Sequence, residues 1–260
     1  MAALLLASLA ATWFFDNKIM SGSIMSRVER QFAEAPRELD ILFMGDSHIQ
    51  EGLNPLKIEG AFNYSNATES YIQIYYKLKY LFEHDVKRFK VLVLQLDYHN
   101  FSTMYFNERD NVWYWKRYVD FFEIGRVKRQ QLLYAWKWFR AHFASYFNER
   151  EAVLRFLKGS SERIWQIEKG HMYAWGGVDD TEELFRHNAI ARARAHLRGY
   201  DIMDPAILHY FRRTLDLCRQ KGIKVVLIRL PITRLYYDQA AAYGAVDKVE
   251  RLTQEILGHY

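Results

Sequence analysis

The stretch Ile41-Leu42-Phe43-Met44-Gly45-Asp46-Ser47-His48 decides the fold, because it joins an apolar run to a polar turn. The run begins at Leu39 and is interrupted only by Asp40, which predicts a strand covered on both faces. Gly45 ends the run and is expected to let the backbone turn sharply. The sequence therefore places a serine hydroxyl, that of Ser47, directly after a buried strand.

Two further strands with a helix between them extend this pattern. Residues 61–65 are predicted to form the second strand and residues 91–96 the third. Between them, apolar residues from Tyr71 to Phe82 repeat at helical spacing. This order predicts a right-handed crossover and a parallel sheet, with functional loops at the carboxyl ends of the strands. Those loops are expected at residues 45–48, 65–68 and 97–100.

The alternation of strands and helices stops at residue 105 and resumes after residue 200. Residues 105–200 are predicted to form a helical insertion or lid, in which Trp and Tyr are interleaved with Lys and Arg. A helix at 205–221, with Asp204 as its N-cap, then leads to a buried strand at 223–228. A last helix is expected at 246–257. The 260 residues suit one large α/β domain at 38–260, preceded by a segment at 1–37.

Three polar turns at successive strand ends carry the residues suited to chemistry. A serine becomes a nucleophile when a base takes its proton and nearby amides stabilise the oxyanion. Ser47 follows the first strand, Asn66 the second and Asn100 the third. For each of these residues taken alone, capping a helix or satisfying loop amides is the preferred explanation. Their occurrence at three neighbouring strand ends favours an active site.

Residues 43–48 resemble the first block of the SGNH/GDSL superfamily, and the Asp-Ser-His form is similar to the branch with alginate and other polysaccharide O-acetylation proteins. The resemblance implies a flavodoxin-like three-layer α/β/α sandwich with Ser47 as the nucleophile. It implies an oxyanion hole formed by the amides of Ser47 and Asn66 and the side chain of Asn100. Asp46 is expected to fix the turn. The glycine usual in the second block is absent, and the third block matches in position only.

The general base is the open question at this stage. The family's last block is Asp-x-x-His, but Ile256 stands three residues before His259. Either the sequence is a fragment whose base lies beyond residue 260, which we favour, or His48 or His99 serves as the base. The other histidines are expected to be packing or surface residues: His84, His142, His171, His187, His196 and His209.

A metal ion is an alternative occupant of the same loops. Asp46, His48, Asp97 and His99 could converge at adjacent strand ends, and mixed carboxylate and imidazole ligands suit zinc or manganese. No His-Glu-x-x-His motif or pair of histidines at i, i+4 supports this reading. We therefore predict no metal and no cofactor. The net charge of +5 comes without a compact basic run, so nucleic acid is not an expected partner.

The amino terminus is an uncharged apolar run from Ala2 to Phe15, shorter than the roughly 20 residues that cross a bilayer. We interpret it as part of a signal anchor whose beginning is missing, with a buried helix as the alternative. The sequence thus predicts a membrane-anchored, extracytoplasmic esterase or O-acyltransferase acting on an acylated or acyl-accepting glycan. Two alternatives remain: a non-catalytic module binding glycan or envelope proteins, and a soluble intracellular hydrolase.

Overall fold

The computed structural model describes residues 2–104, 117–120, 131–144, 146, 150–158, 166–173 and 182–259. The described strands are β1 (Glu38–Met44), β2 (Ala61–Asn63), β3 (Arg88–Gln95), β4 (Ile167–Glu168), β5 (His171–Met172) and β6 (Lys224–Ile228). The described α-helices are α1 (Ala2–Phe14), α2 (Ile24–Glu34), α3 (Ser47–Gly52), α4 (Tyr71–Glu83), α5 (Gln131–Phe143), α6 (Arg150–Leu157), α7 (Glu182–Leu197), α8 (Pro205–Gln220), α9 (Arg234–Ala242) and α10 (Ala245–His259).

The chain is an α/β protein with a four-stranded parallel sheet flanked by helices, as the sequence predicts. The strand order is β2-β1-β3-β6. Leu42 of β1 pairs with Phe62 of β2 on one side and with Leu92 of β3 on the other. Because β1 and β3 are direct neighbours, the two turns that follow them meet at the same edge of the sheet.

Alternate residues of the strands point to opposite faces of the sheet. Leu42 and Leu92 belong to the large core, which they share with residues of α4 and α8. Phe43 belongs to a smaller cluster on the other face, formed with Ile49 and Ala61. The short helix α3 therefore packs beside the sheet edge from which it starts.

Local sequence signals account for where several helices begin. Asp204 caps α8 by accepting hydrogen bonds from the amides of Ala206 and Ile207 at 2.7 and 3.1 Å, which confirms the predicted cap. The amide of Ser70 donates to the Gln73 side chain at the start of α4. The helix α9 was not predicted, and it carries a tyrosine of the candidate site.

The predicted insertion at 105–200 is helical at α5, α6 and α7, but it also contains an antiparallel pair of strands, β4 with β5, which was not predicted. Gly170 joins the two strands with a positive φ of 78°, and a Cβ there would meet the Asn63 carbonyl oxygen. His171 bonds the carbonyl oxygen of Gln50 in α3 at 3.1 Å. The pair therefore supports α3 and β2. Within the insertion, residues 105–116, 121–130, 145, 147–149, 159–165 and 174–181 lie outside the described residues.

The amino-terminal helix α1 is followed by a π-helical turn at Phe15–Ile19 and by α2. Val28 and Phe32 of α2 are buried, and the Phe32 ring stacks on Tyr64 with ring centroids 3.8 Å apart. None of the described helices combines the length and the apolar character required to cross a membrane.

Candidate active site

Two turns with the same Asp-x-His pattern lie side by side at the carboxyl edge of the sheet. Asp46 and His48 follow β1, and Asp97 and His99 follow β3. His48 Nδ1 lies 3.0 Å from Asp97 Oδ2, and His99 Nε2 lies 2.9 Å from Asp46 Oδ2. Each aspartate therefore holds the histidine of the other turn, which fixes both rings against the neighbouring strand.

Gln95, the last residue of β3, ties the two turns together. Its Oε1 accepts a hydrogen bond of 2.7 Å from the Asp46 amide, and its Nε2 donates one of 2.8 Å to Asp97 Oδ2. A Cβ on Gly45 would lie 2.4 Å from Gln95 Oε1, so no larger residue fits there without moving this side chain. The φ of Gly45 is not positive. Glycine is therefore needed here for space, which corrects our expectation that it serves a sharp backbone turn.

Ser47 is the first residue of α3, and Asp46 is the N-cap of this helix. Asp46 Oδ1 accepts a hydrogen bond of 2.8 Å from the amide of His48, as an N-cap carboxylate does. The hydroxyl of Ser47 is half-buried and makes no hydrogen bond to any residue that the structure describes. Ser47 thus lies at the sheet edge, directly before His48 in α3, although it is not among the residues that line the cavity beside His48.

The two predicted asparagines also lie at this edge, and both hold the turns together. The amide of Asn66 donates to the Gly45 carbonyl oxygen at 3.2 Å, which joins the turn after β2 to the turn after β1. Asn100 Oδ1 accepts a bond of 2.6 Å from the Asp97 amide, and its Nδ2 lies 3.5 Å from Asp46 Oδ2. Both predicted oxyanion donors therefore have protein acceptors in this structure.

Two further residues, His196 and Tyr236, belong to the cluster. The His196 ring stacks on His99 with centroids 4.6 Å apart, and its Nδ1 lies 2.9 Å from the Tyr236 hydroxyl. The same hydroxyl lies 3.2 Å from His99 Nδ1. His196 was expected to be a packing or surface residue, and no role was predicted for Tyr236. No motif marks either residue, since α7 and α9 reach the site only in the folded chain.

The surroundings shift the pKa values of His48 and His196 in opposite directions. Burial favours a lower pKa for His48, but its hydrogen bond to Asp97 and the charges of Asp46 and Asp97 outweigh it, so the pKa is raised above 6.5. Burial, together with the positive charges of His99 and His48, lowers the pKa of His196 to about 3. His48 is therefore the cluster histidine prepared to accept a proton, whereas His196 stays neutral.

A cavity of about 270 Å³ opens beside His48. Arg192, Thr233 and Tyr236 are among the side chains that line it. A larger cavity of about 810 Å³ lies along β6 between α8 and α10, and none of the clustered histidines lines it. The smaller cavity is the one that a reacting group at His48 could enter, and Arg192 brings a positive charge to it.

Three described side chains could together hold a metal ion. One ligand atom from each of Asp46, His48 and His99 lies within 4.8 Å of the other two. His48 and His99 use their Nδ1 atoms for Asp97 and Tyr236, which leaves the Nε2 atoms on the side away from these partners. His99 Nε2 is already bonded to Asp46, however, so the two groups satisfy each other without an ion.

Comparison of the chain with family models, with curated proteins and with solved structures gave no significant match.

Proposed function

We propose that this protein is an SGNH-like serine esterase or O-acyltransferase with Ser47 as its nucleophile, built on a flavodoxin-like three-layer sandwich. One observation carries the proposal: a half-buried serine without a hydrogen-bond partner among the described residues stands next to a histidine that a buried aspartate orients at 3.0 Å. Serine, histidine and aspartate are the groups that acyl transfer through a covalent intermediate requires.

His48 is the proposed general base, with Asp97 as its orienting partner. Asp97 is held on three sides, since its carboxylate accepts from His48, from Gln95 and from the Leu230 amide at 3.1 Å. With Nδ1 directed at Asp97, the Nε2 of His48 is left to exchange protons at the cavity. Neighbouring residues of a helix do not face each other, so the proton of Ser47 reaches His48 through one water molecule.

The proposed reaction has two half-reactions. Ser47 Oγ attacks the acyl carbonyl carbon while its proton passes to His48, and the carbonyl π electrons move to the oxygen. The tetrahedral intermediate then collapses, the C–O bond to the alcohol breaks, and the alcohol takes the proton from His48. Water or a sugar hydroxyl next gives its proton to His48 and attacks the carbonyl carbon of the acyl-Ser47 ester. The second tetrahedral intermediate collapses, the bond from the carbon to Ser47 Oγ breaks, and Oγ takes the proton from His48, which releases the acid or the acylated sugar and restores both residues.

The proposed oxyanion donors are the amide of Ser47, at the start of α3, together with the amide of Asn66 and the side chain of Asn100. The latter two are engaged by Gly45 and Asp46 in the present structure, so the acyl oxygen has to replace these acceptors. An acylated or acyl-accepting glycan of the cell envelope is the proposed substrate. The aromatic residues of the insertion suit stacking on sugar rings.

The occupied donors also favour a second candidate, a non-catalytic SGNH-like module that binds glycan or protein partners. The two candidates differ in turnover. If the site is catalytic, the purified chain hydrolyses p-nitrophenyl acetate. Ser47→Ala and His48→Gln should then each lower kcat by about a hundredfold or more, which is the rate loss expected when a nucleophile or a general base is removed.

Matched controls exist outside the site. Ser21→Ala removes an exposed hydroxyl that bonds only its local carbonyl, and His84→Gln removes an exposed histidine at the end of α4. Both should retain full activity. Turnover that survives Ser47→Ala would refute the nucleophile, and absence of turnover in the unmodified chain with several acyl esters would favour the binding module.

A further inference from the structure

Exposed apolar side chains are concentrated on three helices far in sequence from the Ser47 turn. Fifteen large apolar side chains of the described residues are exposed, and eleven of them lie on α1, α5 and α6. These eleven, which we call the apolar surface, are Leu5, Leu6, Leu9, Trp13, Phe14, Leu132, Trp136, Phe139, Leu154, Phe156 and Leu157. Single exposed apolar residues are common, but a cluster of this size marks an interaction site.

Direct contacts join the three helices into one region. The Phe14 ring of α1 meets the Phe156 ring of α6 edge to face, with centroids 6.0 Å apart. Ser8 of α1 donates its hydroxyl hydrogen to the carbonyl oxygen of Phe143 at the end of α5. On α5, the rings of Trp136 and Phe139 stack with centroids 5.8 Å apart. The exposed residues thus lie on neighbouring elements of one part of the molecule.

The charges around the apolar surface are predominantly basic. α1 contains no charged residue, and α5 contains the buried Lys137 and the half-buried Arg140 but no acidic residue. The guanidinium carbon of Arg140 lies 6.0 Å from the Trp136 ring. Lys18, in the turn that contacts α6, and Lys158, directly after α6, are both exposed. The same turn contains the half-buried Asp16, and the sequence of α6 contains two arginines and one glutamate, so basic residues outnumber acidic ones. Apolar groups bordered by Lys and Arg, with Trp among them, match the interface of an anionic lipid bilayer.

The same charges argue against a second copy of the chain as the occupant. A symmetric dimer uses the same patch on both subunits, so Lys18 and Lys158 of one copy would approach those of the other. Like charges close together are unfavourable, whereas anionic headgroups would attract them. We propose that the apolar surface docks onto the face of an anionic lipid bilayer, with the side chains of α1, α5 and α6 entering the headgroup region.

Vesicle sedimentation with the full chain tests this proposal. Vesicles of phosphatidylcholine with phosphatidylglycerol should bind the protein more tightly than vesicles of phosphatidylcholine alone, and added salt should weaken the difference. The double variant Trp136→Glu/Leu157→Glu should bind about tenfold more weakly or worse, because each substitution removes a side chain whose burial stabilises by more than ~1.4 kcal/mol.

The control is Leu257→Glu, since Leu257 on α10 is 74% exposed and Leu157 is 72% exposed, but Leu257 lies outside the apolar surface. Both positions are exposed, and circular dichroism with thermal melting will establish that each variant folds. A second, independent variant, Leu6→Glu, should reproduce the loss. Equal binding of the double variant and the control, or no vesicle binding at all, would overturn the proposal. The proposal would also be overturned if the unmodified chain dimerised with increasing concentration and did not bind vesicles, and the double variant stayed monomeric.

Discussion

Acid is expected to destabilise the protein through His196. Its imidazole is packed against His99, and burial together with the charges of His99 and His48 lowers its pKa to about 3. In the unfolded chain the same group has an ordinary pKa near 6.5. As the pH falls below about 6.5, the unfolded state therefore binds a proton that the folded state does not bind. The free energy of unfolding decreases until the pH approaches about 3.

The size of this effect follows from the two pKa values. With about 3 in the folded state and 6.5 in the unfolded state, the free energy of unfolding falls by about 2 kcal/mol between pH 7 and pH 5, and by about 3 kcal/mol by pH 4. His48 works in the opposite direction. Its raised pKa contributes stability below its unfolded value, and this contribution disappears as the pH rises through the folded pKa.

The comparison of wild type with His196→Gln isolates the first effect, because His48 titrates in both proteins. Urea unfolding at pH 7, 6 and 5 should show wild type losing about 2 kcal/mol more than the variant over this range. His84→Gln, which changes an exposed histidine of α4, should behave like wild type. Parallel pH dependences for wild type and His196→Gln would show that His196 is protonated freely in the folded protein and would refute the reasoning.

Three further predictions concern the two turns. Asp97→Asn should lower kcat by about a hundredfold or more. It should also move the rising limb of the pH–rate profile to lower pH, because Asp97 raises the pKa of His48. A rising limb at unchanged pH would argue against pairing of His48 with Asp97. Gly45→Ala should cost about 1–3 kcal/mol in urea unfolding, since the new methyl group displaces Gln95, while Gly22→Ala, which meets open space, should cost less. Dialysis against EDTA should leave esterase activity unchanged; a loss restored by zinc or manganese would make His48 a metal ligand instead.

The sheet was predictable because its strands carry their signal locally. Continuous apolar runs bounded by Gly45 and by Gly222 indicate buried strands, and the helical repeat before β3 indicates the crossover that makes them parallel. The position of the site follows from the same pattern, since adjacent parallel strands have their carboxyl ends at the same edge of the sheet. This accounts for why Ser47, His48 and His99 follow strands that end at one edge of the sheet.

The partners within the site were not predictable, because they depend on register and on distant helices. The sequence shows two Asp-x-His turns, but it does not show that each aspartate bonds the histidine of the other turn. That pairing requires β1 and β3 to be neighbours in the observed register. His196 and Tyr236 come from helices that start about 85 and 140 residues after β3, near residues 182 and 234. Periodicity places such residues on a helix face, but it says nothing of what that face meets.

The opposite pKa shifts of His48 and His196 give the cluster a division of roles. Two imidazoles whose ring centroids are 6.3 Å apart repel each other when both are charged, so the one whose carboxylate hydrogen bond outweighs its burial takes a proton more easily. The hydrogen bond to Asp97 gives His48 that advantage, whereas burial lowers the pKa of His196, whose Nδ1 lies beside the hydroxyl of Tyr236. A proton entering the cavity therefore goes to His48, the residue next to Ser47. The neutral His196 serves to pack His99 in place, and this is why acid should weaken the fold through one histidine while it protonates the base at the other.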